Sequence, residues 1–142
     1  MILIDMNQVM ISNLMVQINS RSELTIELIR HTVLNSLKSY KKKFGKDYGD
    51  LVLCYDSKRY WRRSFFEYYK SNRKKDRERS GHDWGSIFDV LNQVREEIKD
   101  NLPYKVLCVD GSEADDVTLF FVKNNLSSTS DCKTTCNLQV KY

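Results

Sequence analysis

Six carboxylates stand where chemistry is easiest to build. The short apolar runs MILID (1–5), LVLCYD (51–56) and YKVLCVD (104–110) each end on an aspartate, Asp5, Asp56 and Asp110. GSEADD follows the third run at once and adds Glu113, Asp115 and Asp116. If Glu113 opens a helix, Asp116 at i+3 shares its face while Asp115 points elsewhere. Gathered in one cleft, so many like charges raise one another's pKa, and some protonate unless cations hold them. Oxygen donors with no His or Cys beside them suit a hard divalent ion, Mg²⁺ first and Mn²⁺ as the alternative. Such an ion turns a bound water into a nucleophile and neutralises charge on a scissile phosphate. A single aspartate at a strand end more often caps a helix or closes a turn. Three of them with an EADD cluster set the metal reading above that one.

The segment after Asp56 supplies the complementary charge. Residues 58–79 hold ten Lys/Arg against three acids, whereas the whole chain carries only +4, so the remainder is net acidic. Tyr and Trp interleave with these cations (YWRRSFFEYYK). Charge runs usually form solvated faces. Rings among cations, however, suit a nucleic acid better than water. Arg62 and Lys70 are eight residues apart, about two helical turns, which is compatible with one face. Trp61, Phe65 and Phe66 are expected to pack within this segment or the core rather than to stack on bases.

The elements that would position these residues form an α/β pattern. The three apolar runs read as buried parallel strands, and in open parallel sheets ligands bind beyond the carboxyl ends of the strands. Ser22 is a candidate cap for a helix over 23–44, with Ile26, Ile29, Val33, Leu37, Tyr40 and Phe44 on one side and Gly45 as its stop. A second helix is expected over 86–100 (Ile87, Val90, Leu91, Val94, Ile98), and a third begins near Glu113 and breaks off near Asn124. Residues 60–69 have helical spacing in their aromatics, and 71–82 are mostly charged, so the basic segment reads as a partly helical, mobile excursion from the sheet edge. His82 falls in a loop, and His31 on a helix without an evident partner.

With 142 residues, the chain suggests one domain with a real core. No apolar run approaches the roughly 20 residues of a membrane span, and no signal peptide is evident, so an intracellular, cytoplasmic protein is expected. Cys54 and Cys108 sit in apolar runs as small core residues. Cys132 and Cys136 have no companions to complete a zinc site.

In order and spacing, ILID with Asp5, VLCYD with Asp56, YWRR…F…YYKSNR (60–73), HDW (82–84) and VDGSEADD (109–116) resemble the 5′-nuclease (flap endonuclease) superfamily, closest to phage-type ribonuclease H. The resemblance covers roughly residues 1–123. It implies a PIN-like α/β core, a parallel sheet flanked by helices, with a basic arch or bridge region over 58–82. The implied activity is Mg²⁺-dependent 5′-to-3′ exonuclease and flap endonuclease action on RNA–DNA and DNA duplexes, removing RNA primers during DNA replication. Asp5, Asp56, Glu113 and Asp115 would hold metal directly or through water, with Asp116 beside them in the metal group. Arg62 and Lys70 match the family's basic pair near the scissile phosphate. Tyr69 precedes that lysine at the arch base, and Arg63 and Arg73 join the nucleic-acid contacts. Asp110 is not carried over as a ligand. If the source is a phage, the setting is the host-cell cytoplasm, with a single-stranded-DNA-binding protein and a sliding clamp as expected partners.

The chain departs from the family after EADD. Members continue through a further helix and strand to an S-D-x-D pair, whereas STSDCK (128–133) offers Asp131 and then Lys133. Residues 124–142 are rich in Ser, Thr, Asn and Cys and read as an atypical tail, so the fold is expected to be C-terminally incomplete. A second chain supplying the missing half is one expectation; a catalytically impaired fragment that binds nucleic acid without cutting is another. A third is a ribonuclease of the PIN type acting on single-stranded RNA.

Overall fold

The apolar runs become strands where alternate residues can face two covering layers. A computed structural model describes residues 1–19 and 25–126. In it β1 (Ile2–Asp5), β2 (Leu51–Cys54) and β3 (Lys105–Leu107) form a parallel sheet in the order β1-β2-β3. Ile2 pairs with Leu51 and Val52 with Lys105. The described helices are α1 (Met6–Asn19), α2 (Ile26–Tyr48), α3 (Arg62–Phe65), α4 (Asn72–Arg79), α5 (Trp84–Asn101) and α6 (Ala114–Leu126). Ile2, Ile4, Leu51 and Leu53 pack with the apolar faces of α1, α2 and α5. Leu3, Cys54 and Leu107 form a smaller cluster with Ala114, Val117 and Phe121 of α6. A parallel sheet flanked by helices is therefore the architecture, as expected. No described helix is long and apolar enough to cross a membrane.

Several local expectations are corrected. α1 was not anticipated, although Met6, Val9, Met10 and Leu14 recur at helical spacing and are all buried. Thr25 caps α2, its Oγ1 accepting from the Leu28 amide at 3.2 Å; Ser22 lies outside the described residues. Gly45 does not stop α2. The stem of Lys41 lies over it, and the helix continues to Gly49, whose φ of +86° is the left-handed turn that a side chain would resist. α5 begins two residues before the expected 86, capped by Asp83, which accepts from the Gly85 and Ser86 amides. α6 runs on to Leu126 rather than breaking near Asn124.

β3 is the shortest strand, and its early end moves two residues. Cys108 is exposed rather than a core residue, its Sγ 3.7 Å from the Asp56 carbonyl. Asp110 is not strand-final: it sits in a turn whose next residue, Gly111, has φ +77°. Cys54, by contrast, is fully buried. His82 lies in a loop as expected, while His31 does have a partner, Asn35, 2.8 Å away. In the basic segment only the single turn of α3 and the two turns of α4 are helical, and neither helix buries any residue. Its aromatics are not core: Trp61, Phe65, Phe66 and Tyr68 are all exposed. Cys132, Cys136, Asp131 and Lys133 lie outside the described residues.

Candidate active site

Two of the aspartates also anchor helices. Asp5 ends β1 directly before α1, and its Oδ1 accepts from the Gln8 amide at 3.1 Å. Asp56 lies two residues past β2, and its Oδ1 accepts at 2.7 Å from the amide of Ala114, the first residue of α6. The capping role that a strand-end aspartate ordinarily plays is thus present, and it fixes both carboxylates at the positive ends of helices. Asp115, in the first turn of α6, joins them on the wall of one cavity of about 850 Å³. Burial pushes the Asp5 carboxyl up; the Gln8 amide opposes this, and the Asp56 and Asp115 carboxylates push it further up. Asp5 therefore feels both neighbours as like charges.

Glu113 and Asp116 lie in different company. Glu113 is only 4% exposed, just before α6. It accepts from Lys70 Nζ at 2.5 Å, from the Tyr69 hydroxyl at 2.7 Å and from Arg62 Nη1 at 2.9 Å. Asp116 takes Arg62 as a fork, Nη2 at 2.6 Å and Nη1 at 2.7 Å, and also accepts from Trp61 Nε1 and the Glu113 amide. Burial pushes the Glu113 carboxyl up, but the bonds from Lys70 and Tyr69 and the charges of Lys70 and Arg62 outweigh it and hold it low. The Arg62 bond holds Asp116 low despite some burial. Lys70 adopts φ 56°, a left-handed backbone uncommon for a residue with a side chain, and its Glu113 contact offsets that strain.

The EADD cluster therefore divides as its helical spacing suggested: Glu113 and Asp116 share Arg62, and Asp115 points elsewhere, to the cavity wall that Asp5 and Asp56 line. Asp116 faces Arg62 rather than the other aspartates. Asp110 is outside the cavity and accepts from Ser57 Oγ at 3.1 Å. Lys70 and Arg73 line the cavity; Arg63 does not, and it is exposed with its guanidinium 5.1 Å from the Tyr60 ring. Tyr69 reaches the site through Glu113. Sequence reasoning missed Asn7, Gln8, Tyr60 and Arg77 on the same cavity wall. Only the apolar rhythm of α1 could have drawn attention to the first two.

The donors suit a hard divalent cation, because they are carboxylate oxygens and Asp5 is raised by burial and then by the two carboxylates. Among the described residues, however, no group of three or more His, Cys, Asp or Glu is close enough together to hold an ion as arranged. An ion at Asp5, Asp56 and Asp115 would thus be held by few protein oxygens and by water, which is how Mg²⁺ is commonly bound.

A parallel α/β sheet with carboxylates of separate elements beyond its carboxyl edge is the setting in which hydrolytic metal sites are built. No family model matches the chain. Among curated proteins, the ribonuclease H of Enterobacteria phage T4 is 40% identical over 124 residues, which is 85% of this chain and 41% of that protein. The chain thus spans about two fifths of the length of the curated relative it matches. The chain is thus similar to part of that ribonuclease H.

Proposed function

We propose that this chain is the N-terminal catalytic-core part of a Mg²⁺-dependent 5′-nuclease, with residues 1–123 as a PIN-like core and 58–82 as its basic arch. It would hydrolyse phosphodiesters of RNA–DNA and DNA duplexes and of 5′ flaps, removing RNA primers during DNA replication in the host cytoplasm of a phage. The carrying observation is that Asp5, Asp56 and Asp115, from separate elements, share one cavity with Lys70 and Arg73. When bound, a divalent ion supplies a water acidic enough to attack at neutral pH and offsets charge on the phosphate. Asp5, Asp56 and Asp115 would hold it, and Glu113 and Asp76 are the other carboxylates on the wall of the same cavity. Lys70 and Arg73 draw the phosphodiester in, and Arg62 joins them once it leaves Asp116.

A second reading is a fragment that binds nucleic acid without cutting it. It is favoured by the engagement of Glu113 and Asp116 with the chain's own Arg62 and Lys70. One experiment separates the two: a 5′-labelled flap and an RNA–DNA duplex incubated with the chain in Mg²⁺ or in EDTA, with Asp5→Asn alongside. Short 5′ products that need both metal and Asp5 are the expected result. Salt-sensitive binding with intact label would leave only the second reading.

A further inference from the structure

The cavity has a second lining besides its carboxylates and the basic segment. Phe88, Leu91, Asn92 and Arg95 border it at i, i+3, i+4 and i+7, so one face of α5 is turned to it. Ile11, Ser12 and Met15 of α1 border it too. Within this lining two polar groups lack partners. The Arg95 guanidinium lies 4.7 Å from the ring of Tyr55, which also lines the cavity. Both the Arg95 Nε and the Tyr55 hydroxyl are buried, and neither has a hydrogen-bond partner among the described residues. The carboxylate that pairs with Arg95, that of Glu96, stands 3.8 Å from Nε, beyond hydrogen-bond reach. Arg62 and Lys70, by contrast, are hydrogen-bonded to carboxylates of the chain itself.

We propose that this lining binds a free nucleoside monophosphate, with the phosphate on Arg95 and Tyr55 and the base along Phe88 and Leu91. The inference rests on the nuclease reading above, whose hydrolysis releases nucleotides. Both orphaned groups are donors, and one of them belongs to a cation, so the missing partner is an acceptor-only anion. Leaving them unpaired costs free energy that such a ligand restores. A water molecule would satisfy a donor without neutralising the guanidinium. Phosphate does both, because its oxygens match the planar fork of an arginine. The rest of the lining selects what the phosphate carries. Phe88 is 36% exposed, with Trp84 tilted against it at 5.7 Å between centroids, so a ring face is left for a base. Phe88 and Arg95 are separated by about 10 Å of helix rise, a span on the scale of one nucleotide rather than of a strand. Ser12 and Asn92 offer hydrogen bonds to its sugar or base edge. The cavity, about 850 Å³, falls in the usual range of small-molecule sites, about 300–1,000 Å³. Asp5, Asp56 and Asp115 line the same cavity, so a nucleotide held here stands in the way of the next substrate. The site thus makes the chain sensitive to its own products.

The test is calorimetric titration of the chain with adenosine 5′-monophosphate, inorganic phosphate and adenosine, in EDTA so that no metal bridges ligand and carboxylates. The monophosphate should bind, inorganic phosphate should bind more weakly, and adenosine should give no measurable heat. Arg95→Met, which keeps an unbranched side chain over the Tyr55 ring, should weaken the monophosphate by about 10- to 100-fold, as expected for a lost hydrogen bond to a charged group. Tyr55→Phe should weaken it by about tenfold. Phe88→Ala should weaken the monophosphate by about 5- to 100-fold and leave inorganic phosphate within about twofold, because only the base has lost its ring. Thermal melts check that each variant is folded; if Arg95→Met is not, Arg95→Lys, which keeps the charge but not the fork, takes its place and should weaken binding too. A parent that takes up no monophosphate, an Arg95 variant that binds it as the parent does, or inorganic phosphate binding as tightly as the nucleotide would each overturn the site. Cleavage of the labelled flap in Mg²⁺ is scored separately. A parent that cuts but holds no monophosphate overturns this inference alone, whereas one that holds it and never cuts overturns the nuclease reading.

Discussion

The carboxylates around the start of α6 fall into two groups with opposite electrostatics. Asp5, Asp56 and Asp115 share a cavity wall, and Asp5 is pushed up by burial and by the two like charges. Glu113 and Asp116, within three residues of Asp115, are saturated with donors and held low. The first group is the one that the proposed ion would occupy. The second group already has its cations and uses them to fasten residues 61–70 to the edge of the sheet. The difference shows that carboxylates adjacent in sequence can divide between a cavity wall and a clamp with cations of its own. One clamp residue, Glu113, also lines the cavity, so the two groups meet there.

The sharpest way to break this comparison is to neutralise neighbouring residues, one from each group. Asp115→Asn should lower metal-dependent cleavage by on the order of 10³-fold, the several kcal/mol that a metal ion contributes to transition-state charge. Its stability in EDTA should hold or rise, since a like charge beside Asp5 is removed. Asp116→Asn should do the reverse: it breaks a forked Arg62 pair, so the melting temperature falls while some cleavage survives. Parallel cleavage assays and thermal melts of the two variants check this. Equal losses of activity without a difference in stability would dissolve the two-group division.

A smaller effect tests the clamp through stability rather than activity. Glu113→Gln keeps an acceptor for Tyr69 but leaves Lys70 and Arg62 without their shared buried carboxylate. Removing one partner of a buried pair costs about 3–5 kcal/mol. Lys70 and Arg62 are about a quarter exposed (23% and 28%), so solvent screening brings the expected loss to about 2 kcal/mol. Because Glu113 is held below its ordinary 4.5, its contribution is fully present above that pH and is lost as pH falls through the lower folded value. Denaturant melts should therefore show parent and variant converging in acid and well separated at neutral pH.

The sequence made the scaffold legible where one rule governed it. Continuous apolar runs marked the three strands, and the strong amphipathic period of α5 located that helix to within two residues. α1 was missed because Asp5 was read as the end of a strand, when it also begins a helix. Gly45 misled because glycine inside a helix costs about 1 kcal/mol, which the long packed face of α2 outweighs. In the site, the residue types were readable but their partners were not. Helical spacing places Glu113 and Asp116 on one face, yet it cannot say that Arg62 and Lys70 arrive there from 51 and 43 residues away. The rings were expected to pack within the basic segment or the core. They pair within the segment, Trp61 with Phe65 and Phe66 with Tyr68, and stay exposed among the described residues because tertiary context, which spacing does not carry, brings no core to them.

The smallest effect concerns a polar group that belongs to neither carboxylate group. Tyr55 lies between β2 and Asp56 and is 1% exposed, and its hydroxyl finds no hydrogen-bond partner among the described residues. The Arg95 guanidinium sits 4.7 Å from its ring. Burial pushes the phenol from 10.0 up to about 12, with Arg95 pulling it down and Glu96 pushing it up. A group whose folded pKa is raised contributes stability that is complete below pH 10 and is lost as pH rises toward 12. Tyr55→Phe removes both the unpaired hydroxyl and this titration while keeping the ring under Arg95. It should therefore be neutral or more stable by up to about 1 kcal/mol at neutral pH, and relative to the parent it should gain further as the solution becomes alkaline. If the variant is instead clearly less stable, the hydroxyl has a partner that matters, and the floor beneath Asp56 is a polar network rather than apolar core.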